Sequence, residues 1–174
     1  MKENLNVSKY RNGDVILQVQ DADEWAKLTT GAWCYYENNS ENGKTYGKLY
    51  NWYAVVDPRG LAPKGWHVPS DAEWTKLVYY LGGKSSAGGK LKARALWASP
   101  NKGATNESGF SAFPGGVRSN DGNCYDVGEF GDFWSASEDC SNYAWSRSLY
   151  FDSSGVNRDF NDKRSGFSIR CVRD

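Results

Sequence analysis

One histidine and four cysteines are the residues with which this chain could do covalent or metal chemistry, and their spacing argues against both. His67 stands in KGWHVPS between Trp66 and a helix start, with no second histidine to relay a proton. An imidazole hydrogen-bonded in a packed turn is the reading this context favours, so no catalytic residue and no enzyme activity are expected. Cys34, Cys124, Cys140 and Cys171 are scattered without a CxxC pair, which gives zinc no local chelate. Neither a metal nor a cofactor is expected. For the thiols two readings stay open, a Cys34 to Cys171 disulfide or buried free thiols.

Recognition is the chemistry the sequence does offer. Between Ser141 and Cys171, strand spacing puts Trp145, Arg147, Leu149 and Phe151 on one side and Ser146, Ser148, Tyr150 and Asp152 on the other. The first set suits a core, with Arg147 and Arg158 bracing loops through charge-assisted hydrogen bonds to carbonyls. In the second set, tyrosine and phenylalanine give rigid contact area, while serine, asparagine, glycine and aspartate add adaptable hydrogen bonding. Antibody paratopes use that mixture and cores disfavour it. Strands and short turns hold such side chains on a rigid base, so binding orders little of the scaffold. The expected surface covers residues 139–165, and its expected ligand is a protein or cell-surface molecule.

The elements that must carry this surface follow from composition and pattern. At 174 residues the chain is expected to form one domain over 1–174. Its 8 Trp, 11 Tyr and 19 Gly, against one Met, favour a loop-rich fold pinned by buried rings. Lys+Arg and Asp+Glu are equal at 21 each, so there is no basic footprint and nucleic acid is not an expected partner. No apolar run approaches the ~20 residues of a membrane span, and MKENLNVSKY lacks a signal peptide's apolar core, so neither is expected.

Asn12-Gly13 in YRNGD predicts a turn between a strand and a loop within residues 1–30. In TYGKLYNWYAVV, the spacing of Leu49, Tyr50, Tyr53, Ala54 and Val56 predicts a short helix stopped at Asp57-Pro58-Arg59-Gly60. A second helix is signalled by Ser70 as N-cap, Glu73 as capping-box partner and Gly82 as the stop. Its stripe of Trp74, Leu77, Val78 and Leu81 reads as core rather than binding groove. From Gly83 to Gly131, loops and short strands are expected, pinned by Phe110, Phe113, Tyr125 and Phe130. Strands follow at Phe133–Ser137, Ala144–Phe151 and Phe167–Val172, with a fourth near Val156–Phe160. Two helices followed by small antiparallel sheets in a Gly- and aromatic-rich half give the class α+β.

Several motifs, in order over nearly the whole length, carry a resemblance: ENLNVSKYRNGD, GAWCYY, YGKLYNWYAVVDPRGLAPKGWHVPSDAEWTKL, LGG, ESGFSAFPGGVR, FWSASE and GFSIRCVRD. Together they resemble the Fibrobacter succinogenes major paralogous domain, a variant of the C-type lectin fold. The resemblance implies that the N- and C-terminal strands pair, with Phe167, Ile169 and Cys171 inward and Ser168 and Arg170 outward. The sequence departs from the family pattern at Leu61-Ala62, where a Cys is common, so Cys171 lacks that partner. Sugar-binding C-type lectins hold calcium with Glu-Pro-Asn or Gln-Pro-Asp and a later Trp-Asn-Asp, all oxygen donors. Here the nearest acidic pair, Glu138-Asp139, has no such proline loop beside it.

Some members of that family resemble the variable proteins of diversity-generating retroelements, in which template adenines are randomised and the C-terminal coding segment rewritten. Changing the first two bases of AAY codons reaches Asp, Ser, Tyr, Cys, Gly, Phe and Arg, but not Lys, Glu, Gln, Met or Trp. The expected variable, ligand-binding positions are Asp139, Cys140, Asn142, Tyr143, Ser146, Ser148, Tyr150, Asp152, Ser153, Gly155, Asn157, Asp159, Phe160, Asn161, Asp162 and Ser165. All are reachable residues, and from Asp139 to Asp162 no Lys, Glu, Gln or Met occurs. Trp145, Arg147, Leu149, Val156 and Arg158 read as scaffold. The alternatives are a calcium-assisted carbohydrate-binding lectin and a structural module of a bacterial surface protein.

Overall fold

In the computed structural model, which describes residues 1–174, ten strands and five short helices alternate along the chain. They are β1 (Leu17–Gln18), α1 (Ala22–Trp25), β2 (Ala32–Cys34), α2 (Ser40–Tyr46), β3 (Leu49–Tyr50), α3 (Trp52–Val55), β4 (Trp66–His67), α4 (Asp71–Tyr80), α5 (Ala87–Leu91), β5 (Gly115–Arg118), β6 (Cys124–Val127), β7 (Phe130–Glu138), β8 (Tyr143–Tyr150), β9 (Asn157–Asp162) and β10 (Val172–Arg173). The class is α+β. The strands form a sheet β1-β2-β3, a pair β10-β4 and a five-stranded sheet β6-β5-β7-β8-β9. No helix is long and apolar enough to cross a membrane.

Local signals decide the elements whose caps are unambiguous. Ser70 accepts from the Glu73 amide and the Glu73 side chain accepts from the Ser70 amide, so α4 starts where the capping box predicts. The YRNGD turn also forms, with the Tyr10 amide donating to Asp14 O at 2.8 Å. The helix expected from TYGKLYNWYAVV does not. Gly47 ends α2 at φ 77°, Leu49 and Tyr50 pair with Cys34 and Trp33, and Asn51 caps the four-residue α3. Leu49, Tyr50 and Ala54 are all buried, so a strand and a helical turn together mimic helical spacing, which short apolar runs cannot separate.

Three apolar clusters fill the interior. The largest centres on Trp33, Tyr50, Trp52, Trp134, Phe167 and Ile169. A second joins α4 and α5 to the central sheet through Trp74, Leu91, Trp97, Phe133, Leu149 and Val156. The third surrounds Trp25. At Gly88 of α5 an added Cβ would lie 1.9 Å from Gly155 O, so only glycine lets the β8–β9 loop dock there.

The region 83–131 is pinned less by rings than expected. Tyr125 is 44% exposed, and Phe110, Phe113 and Phe130 are only half-buried. Buried cations hold it instead. Lys92 donates to the carbonyls of Tyr150 (2.9 Å) and Ser153 (2.8 Å), and Arg118 to those of Gly122, Val19, Gln20 and Asp21. These charge-assisted bonds tie carbonyls of the β8–β9 turn, the β5–β6 turn and the segment before α1 to the region.

The chain ends correct the resemblance. β10 pairs with β4, Val172 opposite His67, and the N-terminal segment meets the C-terminal one without a strand ladder, through Leu5 N to Ile169 O, the Met1 amino group to Cys171 O, Asn4 Nδ2 to Ser168 Oγ, and Arg170 to Asn4 Oδ1 and Met1 O. Phe167, Ile169 and Cys171 face inward, but Ser168 and Arg170 are also buried, at 1% and 2% exposure. The segment is covered on both sides, and Arg170 is satisfied by Asn4 Oδ1, Ser111 O and Phe110 O. All four cysteines are free thiols, and Cys34 and Cys171 lie in different clusters.

Candidate ligand-binding surface

Register in the central sheet sorts the C-terminal residues into two faces. Ser146 stands opposite Trp134 and Asp159, and Ser148 opposite Asp132 and Asn157, whereas Arg147 stands opposite Phe133 and Arg158. Paired residues share a face, so the alternation read from the sequence exists. What each face does differs from the expectation.

α4 covers the Arg147 face. Arg147, 2% exposed, donates to Asp71 Oδ1 (2.8 Å), Asp71 O, Thr75 Oγ1 and Ser146 O. Arg158 donates to both Asp71 carboxylate oxygens and lies 3.3 Å over the Trp145 ring. Burial would raise the Asp71 carboxyl, but the hydrogen bonds from Arg158 and Arg147 outweigh it and hold the group below its usual value. The two arginines thus brace a helix carboxylate rather than chiefly loop carbonyls. Trp145 is half-buried and Arg158 exposed, so neither is core scaffold; Leu149 and Val156 are.

Of the expected binding positions, Asp139, Cys140, Asn142, Tyr143, Asp152, Asn157 and Phe160 are exposed. Tyr150, Ser153, Gly155, Asp159, Asn161 and Asp162 are half-buried. Ser146, Ser148 and Ser165 are buried, which corrects their assignment to an outward surface. The Ser146 hydroxyl is consumed by Asp159 O and Asn161 Nδ2, because the sheet's second face curls over the main core instead of facing solvent. Ser153 and Gly155 belong to the loop docked on α5, where the Gly89 amide donates to Ser154 O and the Val156 amide to Lys84 O.

The positions do not make one patch. Tyr143 and Phe160 meet edge to face at 5.7 Å, with Trp145 against Phe160 at 5.9 Å, on the α4 side. Tyr150 lies on the opposite face, edge to face with Phe130 at 4.6 Å. There a groove of about 330 Å³ opens, lined by Ser148, Tyr150, Asp159, Asn161 and Ser165 together with Phe130, Asp132, Asp126 and Phe167. Asn142, Tyr143 and Asp162 line a separate cleft of about 410 Å³ beside Tyr53 and the end of α1.

Asp132 is the groove residue that sequence reasoning missed. It is 5% exposed and forms no ion pair; the neighbouring Ser148 side chain is the one group that favours its charged form. Burial, with Asp159 and Asp126 nearby, pushes it up to about 7. The available signal was its parity: within FGDFWSASE it is the charge flanked by Phe130 and Trp134 on one strand face. The largest groove, about 460 Å³, lies elsewhere and includes Trp74, Leu77, Tyr80, Phe110 and Val172, so the α4 stripe is partly groove wall as well as core.

His67 is held as expected, but by carboxylates. Nδ1 lies 2.7 Å from Asp174 Oδ1 and Nε2 2.8 Å from Glu73 Oε1. The bonds to Asp174 and Glu73 raise its pKa, and both nitrogens act as donors in the imidazolium, leaving neither free as a base. No group of three or more His, Cys, Asp or Glu side chains is arranged to hold a metal ion.

The Fibrobacter succinogenes major domain family model matches residues 1–173, and the chain belongs to this family. No curated protein and no solved structure matches the chain.

Proposed function

We propose that this chain is a non-catalytic binding module with a C-type lectin-like fold, which holds a protein or cell-surface ligand on the β8–β9 part of its central sheet. One observation carries the reading. The second face of β8 and β9 presents hydroxyl, amide, carboxylate and phenol groups to an open groove instead of to a packing partner. Folding gains little from lining an open groove with such groups, whereas a ligand can use them. Exposed Asn157 extends the groove face beside Ser148, and the exposed Tyr143 and Phe160 add adaptable contact area on the other side of the same two strands.

The test is to pan a random peptide library on the immobilised domain and on an Asp159→Ala/Phe160→Ala variant that melts like the parent. Peptides enriched by the parent and lost by the variant support the reading. Equal enrichment on both, or none on either, sinks it.

The retroelement form of the reading applies to the accessible positions. Its test is to sequence the gene's surroundings for a reverse transcriptase and a near-identical template repeat, and to compare gene copies. Variation at Asn142, Tyr143, Asn157 and Phe160 with Ser146 constant supports it; variation spread over Ser146 and Leu149 contradicts it.

A further inference from the structure

A carboxylate enters a protein interior at high cost unless a cation or several donors meet it there. The other deeply buried charges in and beside the central sheet are met: Arg147 by Asp71, Arg118 by the carbonyls of Gly122, Val19, Gln20 and Asp21, and Lys163 by Glu138 and Ser141 O. Asp132 is not. Its side chain lines the groove, and the charged groups facing it, Asp159 of β9 and Asp126 of the β5–β6 hairpin, are themselves acidic. The remaining titratable neighbour is the Tyr150 phenol.

Beside the acids stand rings. Phe130 and Tyr150 form one wall, and Phe167 also borders the groove. At about 330 Å³ it is at the small end of ligand sites, with room for one long side chain. An aromatic-walled recess with acid at its base suits a flat, weakly hydrated cation, which gains both a charge-assisted hydrogen bond and ring stacking.

We infer that the groove between β7, β8, β9 and the Ser165–Phe167 segment is an arginine-binding recess, taking a guanidinium side chain of the partner protein against Asp132 and Asp159. This rests on the binding-module reading and names its ligand chemistry. A cation there draws Asp132 into its charged form, so binding at low pH expels a proton, and affinity climbs up to tenfold per pH unit until it levels near pH 7.

The test titrates the whole chain with N-acetylarginine methylamide and, separately, with its neutral isostere N-acetylcitrulline methylamide, following backbone amide shifts by NMR. The arginine probe is expected to saturate shifts at Ser148, Asn161 and Ser165, with the citrulline probe at least tenfold weaker. Asp132→Asn, checked for an intact spectrum, is expected to weaken the arginine probe at least tenfold and to flatten its pH profile. Equal affinity for the two probes, shifts mapping outside the groove, no saturation by about 100 mM, or binding unchanged in Asp132→Asn each overturns the inference. Failure here with library peptides still enriched on this surface rejects the arginine recess alone; failure of both rejects the binding surface as well.

Discussion

The two faces of the central sheet each bury a charge, and they treat it in opposite ways. On the α4 face Arg147 is closed over and neutralised by Asp71, with Thr75 and two carbonyls taking its other donors. On the groove face Asp132 is as deeply placed and has neither cation nor lid. A buried charge that the fold satisfies is part of the structure; one left unsatisfied beside an opening marks where stability has been given up. The difference is the physical basis for proposing a binding role for the groove side and a supporting role for the helix side.

Breaking the satisfied pair has the largest expected effect. Asp71→Ala strands the buried Arg147 guanidinium and is expected to destabilise the fold by about 3 to 5 kcal/mol in chemical denaturation. A loss below 1 kcal/mol would show that water solvates Arg147 and that the contrast between faces is overstated. The unsatisfied side answers with the opposite sign. Asp132 has its folded pKa, about 7, above the ordinary 3.8, so its contribution to stability is full below pH 3.8 and is lost as pH rises to about 7. Asp132→Asn removes that loss and is expected to gain stability over wild type progressively between pH 4 and 7, by up to about 4 kcal/mol, then hold level. Parallel stability curves for the two proteins would mean Asp132 is not strained.

Smaller effects sharpen the boundary between scaffold and surface. Leu149→Ala, in the second core, is expected to cost about 2 to 5 kcal/mol, whereas Asn157→Ala with Phe160→Ser stays within about 1 kcal/mol. Similar urea midpoints for the two would erase the distinction. Last, calcium in millimolar excess leaves the melting temperature unchanged, since no acidic cluster is built to hold it. A rise with calcium concentration would return the carbohydrate-binding alternative to first place.

Sequence alone determined the features that rest on near neighbours. The capping box of α4, the Asn12-Gly13 turn, the period-two alternation of β8 and the inward Phe167, Ile169 and Cys171 need only local backbone geometry and one buried side. Tertiary structure alone decided what lies above each face. Ser146, Ser148 and Ser165 are polar yet buried, because the sheet curls and the Ser165–Phe167 segment folds across it. The same long-range closure drew Leu49 and Tyr50 of the expected helix into β3, buried Ser168 and Arg170 on a segment expected to be a strand with an outer side, and left Asp132 without a counter-charge. Alternation records that two faces differ; whether the polar one meets water, protein or a ligand depends on segments distant in the chain, and periodicity carries no information about those.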